Sequence, residues 1–317
     1  MSMAGRFHRL EVAYVRPETA DAIVVGFRPD DRGAFAFRPG QYLTLRAEIE
    51  GQRQQRCYSI CSTPDDPAIE VAIKRVPGGR FSPWAHRALR AGDAIDVLAP
   101  EGRFGLTPQP GAARSHLAIA AGSGVTPILS LARALLGAEP ASHFTFLYGN
   151  RARETIMFRE ALDDLKDRHM GRFALIHMLS GEARDVELLH GRIDADRLAR
   201  LARAGLIAPA GADAIFLCGP GDLANMARAA LLQLGADPAC IQTERFLPTP
   251  GSANAQARPE PACADLAGSA MVTAIVDGAE RRFRMEAADP SLILAAERAG
   301  IELPSSCRGG MCCTCRA

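Results

Sequence analysis

Four of the nine cysteines in this chain fall within nine residues near its C-terminus: Cys307-Arg308-Gly309-Gly310-Met311-Cys312-Cys313-Thr314-Cys315. No other feature narrows the choice of fold so far. A disulfide framework spreads its cysteines through a small secreted chain, whereas a tight cluster in an intracellular chain reads as a metal site. Cys307, Cys312 and Cys315 have the C-x4-C-x2-C spacing of plant-type [2Fe–2S] centres. Three thiolates must converge on a small cluster, and Gly309 and Gly310 let backbone N–H groups approach its sulfides and tune its potential. Zinc sites usually pair two C-x2-C knuckles, and only one such pair occurs here, so zinc and a metal-free cysteine-rich tail are the weaker alternatives. Cys313 lies between ligands and points elsewhere. The fourth cysteine that such a centre needs is not present downstream, so on this reading the module is truncated within the chain.

The remaining residues must build something upstream of that module. At 317 residues the chain has room for two or three domains, and 48% hydrophobic residues supply a core for each. Short β-prone runs come first, at Leu10–Val15, Ala22–Phe27, Tyr42–Ala47, Gln55–Cys61 and Ile69–Val76. Turn signals such as Arg38-Pro39-Gly40 and Pro77-Gly78-Gly79 separate them, with one short helix at Ser82–Arg90. That pattern predicts an antiparallel β-barrel or sandwich. After Gln109-Pro110-Gly111 the pattern changes to alternating elements. Strands are expected at His116–Ala121, His143–Tyr148, Phe173–Leu179 and Ala214–Cys218. Helices are expected at Pro127–Leu136, Glu154–Arg168, Asp194–Ala204 and Asp222–Leu234. Such alternation reads as an α/β doubly wound parallel sheet. Residues 247–268 are rich in Pro, Ala, Gly and Ser and read as a linker. A third module follows, with a hairpin of Met271–Val276 and Arg281–Met285 around Asp277-Gly278, then a helix at Ser291–Ala299 capped by Gly300. The expected domains are therefore 1–110, 111–246 and 269–317, joined by the linker at 247–268.

Arg56-Cys57-Tyr58-Ser59 sits in one of the β-prone runs, and Gly78-Gly79-Arg80-Phe81-Ser82 follows further on. A flavin dinucleotide needs a cation for its pyrophosphate, and Arg56 offers a bidentate one. Its ring or ribityl chain needs an aromatic neighbour, which Tyr58 supplies. The hydride-accepting N5 needs a hydrogen-bonding group, and Ser59 is placed to be one. The turn of Gly79, Arg80, Phe81 and Ser82 can present backbone N–H groups to phosphate. Taken alone, an Arg-x-Tyr alternation in a strand reads more often as a solvated face.

In the α/β region, Gly122-Ser123-Gly124-Val125-Thr126-Pro127 follows a strand and opens a helix. Its glycines allow close backbone approach, and the helix N-terminus offers N–H donors to phosphate. Pro127 suits the first helical turn. Asn150 and Arg151 end the next strand, where ligands bind in such sheets. Arg151 or Arg153 can pair with a 2′-phosphate, or either can be a solvated loop residue. Cys218-Gly219-Pro220 ends another strand in the same crevice, and Cys218 is either a nicotinamide neighbour or a core thiol.

Together, and in this order, these motifs resemble the ferredoxin–NADP reductase superfamily over residues 5–246, with Glu244-Arg245-Phe246 similar to that family's domain end. Adding the C-terminal cysteines, the chain is similar to oxygenase reductases, those of phenylacetyl-CoA epoxygenases among them. The resemblance implies an FAD-binding antiparallel β-barrel, an α/β domain binding NADPH or NADH, and the start of a β-grasp ferredoxin domain with a [2Fe–2S] cluster. It implies hydride transfer to FAD at Ser59 and Cys218, and single electrons passed to a multicomponent oxygenase. By position, Arg56, Tyr58, Ser59, Gly79, Arg80, Phe81 and Ser82 would bind FAD. Gly122, Gly124, Thr126, Pro127, Asn150, Arg151, Cys218, Gly219 and Pro220 would bind the nicotinamide dinucleotide, and Cys307, Cys312 and Cys315 would hold iron. The family often carries Arg after the serine that ends the third α/β strand, but Gly181 follows Ser180 here, which favours NADPH less. Two alternatives remain: a flavin reductase without a cluster, and a non-catalytic nucleotide-binding subunit. With 37 basic and 36 acidic residues the charge is balanced, which gives no sign of a nucleic-acid partner. The N-terminus MSMAGRFHRL lacks an apolar signal region, and the stretch His116–Gly137 is too polar for a membrane span, so a cytoplasmic location without membrane contact is expected.

Overall fold

The alternating N-terminal runs form six strands: β1 (Phe7–Thr19), β2 (Ala22–Phe27), β3 (Tyr42–Ile49), β4 (Gln52–Ser59), β5 (Ile69–Lys74) and β6 (Ala94–Leu98). The computed structural model describes residues 6–183, 185–246, 269–276, 279–289, 291–301 and 303. Its first sheet is antiparallel with the order β4-β3-β6-β1-β2-β5. The end of β4 then meets β5 through the Ile60–Val71 bridge and the Cys61 N–H donating to the Glu70 carbonyl, 2.9 Å, which brings the two outer strands of the barrel together. Val12, Val25, Leu43, Leu45, Val71 and Val97 fill its interior. α1 (Phe81–Ala88) packs against β3, β4 and β5. Strand β6 departs from the sequence expectation, since Asp96 breaks its apolar pattern. Asp96 lies opposite Arg9 of β1 and Arg46 of β3, and its carboxylate pairs with both guanidinium groups at 3.4 and 3.0 Å.

The second sheet is parallel with the order β11-β10-β7-β8-β9. It comprises β7 (Ser115–Ala121), β8 (His143–Asn150), β9 (Phe173–Leu179), β10 (Ala214–Gly219) and β11 (Ile241–Arg245). Phe144, Phe146, Tyr148 and Phe216 face a core shared with α2 (Val125–Ala138) and α3 (Arg159–Arg168). Leu117, Ile119, Ile215 and Leu217 face the other side, against α4 (Ala195–Arg203) and α5 (Leu223–Gln233). Chain order reverses at β7, so the ends of β7 and β10 border a switch-point crevice. α3 starts later than its amphipathic pattern predicts. Phe158 takes a left-handed conformation with φ 57°, and Ile156, Met157 and Phe158 turn into the core before the helix begins.

Barrel and parallel sheet form one compact unit, and the residues after 247 belong to a second. In the second unit, β12 (Ala270–Val276) and β13 (Ala279–Met285) form the expected antiparallel hairpin. α6 (Leu292–Arg298) covers it, with Ala295 and Ala296 against Phe283 of β13. Ser291 caps this helix, accepting from the Leu294 N–H at 3.3 Å, and Gly300 follows it with φ 73°. Both the 247–268 segment and the Asp277-Gly278 turn lie outside the described residues. Among the described residues, no helix is long and apolar enough to cross a membrane.

Candidate active site

β4 and α1 bring the flavin-side residues together. The Tyr58 ring lies 5.7 Å from Phe81, the first residue of α1. The Arg56 guanidinium is held along the strand by the Gln55 carbonyl, 2.5 Å, and by the Gln54 side chain, 3.3 Å. Burial pushes the Tyr58 phenol well above its usual pKa, against the pull of the Arg56 charge. The Ser82 hydroxyl accepts from the Val76 N–H at 3.0 Å and closes the turn at Gly79. Arg80 stands at the N-cap of α1 and bonds to the Gln52 side chain. Beside Arg56, Gln55 Oε1 is buried with no hydrogen-bond partner among the described residues. A cation, an aromatic ring, a helix N-terminus and an unused buried acceptor together fit a flavin dinucleotide.

Across the unit, β7 runs into a single helical turn, Gly122–Gly124, and then α2. Gly122 has φ 53°, and a side chain at Gly124 would come within 2.3 Å of the Cys218 carbonyl oxygen. That carbonyl therefore sets how closely the loop can pack on the end of β10. Thr126 donates its hydroxyl to the Ser123 carbonyl, 3.0 Å, and Pro127 is buried in the first turn of α2. At the ends of β8 and β9, Ser180 N donates to the Asn150 carbonyl, 3.0 Å, and Gly181 N to the Arg151 carbonyl, 2.7 Å. Asn150 Nδ2 is buried at this end of the sheet, beside the Tyr148 side chain. The Arg151 side chain is exposed, and its Cγ would lie 3.0 Å from a Cβ on Gly181. Arg153 donates its backbone N–H to Glu182 at 2.6 Å. This donor-rich end fits a dinucleotide phosphate.

The two halves meet at a residue whose role the sequence did not reveal. Glu244 of β11 accepts from the Ser59 hydroxyl at 2.9 Å and lies 3.9 Å from the Cys218 thiol. Ser59 and Cys218 are buried, and Glu244 is partly so. Burial raises the Glu244 pKa to about 7, against the stabilising hydrogen bonds from Ser59 and Cys218. The same cause, with the Glu244 charge added, drives the Cys218 thiol well above its ordinary value. Cys218 is thus a protonated thiol, whether it serves as nicotinamide neighbour or core residue. Gly219 closes β10, and a side chain there would come within 2.7 Å of Leu223. Pro220 follows, exposed, at the mouth of the crevice. The motifs named Ser59 and Cys218. Glu244 would have been found only from the register, in which Cys218 pairs with Glu244 across β10 and β11. Cys307, Cys312 and Cys315 lie outside the described residues. As a donor set, three thiolates at this spacing suit iron–sulfur chemistry.

Three family models match, in chain order: an oxidoreductase FAD-binding domain over residues 16–105, an oxidoreductase NAD-binding domain over 118–229, and a 2Fe-2S iron-sulfur cluster binding domain over 274–317. The chain is 42% identical over 317 residues to one of the subunits of the 1,2-phenylacetyl-CoA epoxidase of Escherichia coli, covering 98% of this chain and 86% of that one. It is 32% identical to the ferredoxin reductase component of a 3-ketosteroid-9-alpha-monooxygenase from Rhodococcus rhodochrous, covering 96% of this chain and 84% of that one. Among solved structures, it is similar to the FAD/NAD-binding domain of a nitric oxide dioxygenase from Vibrio cholerae, with TM-score 0.66 and 26% identity, covering 77% of this chain and all of that one.

Proposed function

The chain belongs to the ferredoxin–NADP reductase superfamily, among oxygenase reductases that join FAD-binding, NAD-binding and 2Fe–2S domains, and from that membership we propose that it oxidises NADPH and feeds single electrons to an oxygenase acting on the coenzyme A thioester of an aromatic acid. The substrate class follows the phenylacetyl-CoA epoxidase relative, which shares 42% of its residues over nearly the whole chain. Residues 1–110 serve as the flavin module, 111–246 as the nicotinamide module, 247–268 as linker and 269–317 as part of the ferredoxin module, in the cytoplasm.

The observation that carries this reading is the meeting of Ser59, Cys218 and Glu244 where the barrel and the parallel sheet join. When bound, FAD takes a hydride from the nicotinamide and releases electrons one at a time, which the [2Fe–2S] centre relays. Arg56 and the N-terminus of α1 would hold the flavin pyrophosphate, and Tyr58 would supply its aromatic neighbour. Ser59 Oγ orients the reacting edge of the ring. The Glu244 carboxyl holds a proton below about pH 7 and gives it up above, with Ser59 Oγ as its link to the flavin side. Gly122 and Gly124 admit the dinucleotide phosphates, and Cys218 with Gly219 floors the nicotinamide crevice. Cys307, Cys312 and Cys315 hold the cluster.

Arg151 carries the preference for NADPH. Gly181 leaves room for its stem, and its guanidinium is an exposed cation just past the end of β8, where a Rossmann-type sheet reads the adenosine ribose. A visible absorption spectrum of anaerobically handled protein, before and after NADPH, tests the whole reading. Flavin bands together with iron–sulfur absorbance, both bleaching, are expected. Protein that retains no flavin after FAD is added would overturn it.

A further inference from the structure

The dinucleotide loop is held from behind by a residue that none of the motifs includes. Tyr148, in the middle of the sheet on β8, is fully buried, and its ring stacks on Phe146 with centroids 5.1 Å apart. Its hydroxyl donates to the carbonyl of Gly122 at 2.9 Å. That same carbonyl, with the carbonyl of Ser123, receives the Val125 N–H that closes the helical turn. The Ser123 carbonyl receives the Thr126 hydroxyl as well, 3.0 Å. Two consecutive carbonyls at the mouth of α2 are thus each tied to a buried hydroxyl group.

Peptide planarity gives this arrangement a consequence. In a trans peptide the C=O and the following N–H point in opposite directions. Tying the Gly122 carbonyl to Tyr148 turns the Ser123 N–H away from the core, and tying the Ser123 carbonyl to Thr126 does the same for the Gly124 N–H. These are among the first N–H groups of a helix, which have no acceptor within it. They are also the donors an anion at that end would use. Gly122 tolerates two backbone conformations, since its φ of 53° is left-handed and it has no side chain to restrict it. Without an anchor, the loop would lose its bias toward the donor-out state.

We propose that Tyr148, together with Thr126, is a positioning residue for the pyrophosphate of the nicotinamide dinucleotide, acting through the loop carbonyls without touching the ligand; the proposal rests on the dinucleotide-binding reading of this sheet. Phe146 confines the phenol ring, and the Tyr148 side chain is fully enclosed by the core. A motif-level view would place Thr126 in contact with the coenzyme. In the structure its hydroxyl bonds to the loop.

The test is calorimetric binding of two probes to the full chain and its Tyr148→Phe variant. ADP-ribose carries a pyrophosphate, and 2′-AMP does not. Loss of one hydrogen bond of this kind should weaken ADP-ribose binding about three- to tenfold and leave 2′-AMP unchanged within about twofold, with kcat for NADPH oxidation preserved and KM raised. Equal ADP-ribose affinity in the two proteins, or an equal loss with both probes, would overturn the proposal. Should the Phe variant fail to fold, Thr126→Val carries the same pair of measurements with the same expectation and the same overturning results. Wild-type protein that binds 2′-AMP but not ADP-ribose would also sink the proposal while sparing the adenosine side of the reading. Wild-type protein that binds neither probe would sink the dinucleotide reading itself.

Discussion

Ser59, Cys218 and Glu244 come from three strands of two sheets, yet a single carboxylate oxygen, Glu244 Oε2, is within reach of both other side chains. Replacing Ser59 with Ala should slow flavin reduction by NADPH about tenfold, because one charge-assisted hydrogen bond is lost; an unchanged stopped-flow rate would remove Ser59 from the mechanism. Glu244 makes a sharper prediction. Its pKa of about 7 lies above the ordinary 4.5, so the folded chain keeps a proton the unfolded chain has lost between those values. Its contribution to stability is therefore full below pH 4.5 and fades as pH rises through 7. In Glu244→Gln that fall should flatten, read as Tm between about pH 5 and pH 8. Arg151→Ala should raise KM for NADPH and leave NADH nearly unchanged; similar losses with both coenzymes would return Arg151 to the solvated loop. Ser59, Cys218 and Arg151 were singled out as candidates in the sequence because each stands beside a turn or strand-end signal. Glu244 was not, since only the β10–β11 register gives it a partner.

At the scale of elements, most strands and helices followed from apolar spacing and turn residues. β2 and β9 fall within their expected limits, as buried alternation between clear breaks would require. The misses have a common cause, in that a polar residue inside an element found its partner far away in sequence. Asp96 in β6 is balanced by Arg9 and Arg46. β11 is polar and lies at the sheet edge, where one side needs no apolar cover. The late start of α3 is set from the barrel, because Glu18 of β1 accepts from the Phe158 N–H at 2.6 Å and takes the place of a local cap. Glu18→Ala should then cost about 1 kcal/mol, the usual value of a lost cap, read from urea denaturation. A change below experimental error would mean that the packing of Ile156 and Met157 alone fixes the bend.

For the whole molecule, polar ties join barrel to sheet. Arg133 grips Asp66 at 2.7 and 3.0 Å, Ser130 Oγ donates to the Ser62 carbonyl at 2.6 Å, and Gly105 N donates to Gln242 at 2.8 Å. At the opposite end of the strands from the active site, fully buried Glu139 is bound by Arg114, by the Ser142 hydroxyl and by the Gln109 N–H, with His116 beside it at 3.6 Å. Burial would raise its pKa, but these donors outweigh burial and hold it down to about 2. That stability is present above the ordinary 4.5 and lost as pH falls toward 2. Glu139→Ala leaves Arg114 without its buried partner and should cost about 3 kcal/mol at neutral pH; a Tm within a degree of wild type would show that the cluster contributes little. Glu244 and Glu139 therefore pull in opposite directions with pH. β11 has one further consequence, in the order of manufacture. A ribosome makes the barrel, the phosphate loop and β10 before it reaches Ile241. Until this final strand of the parallel sheet is translated, one side of β10 has no neighbour, and the proton-holding carboxylate does not yet exist. A chain cut short there would present a bare strand edge for proteases and chaperones to recognise.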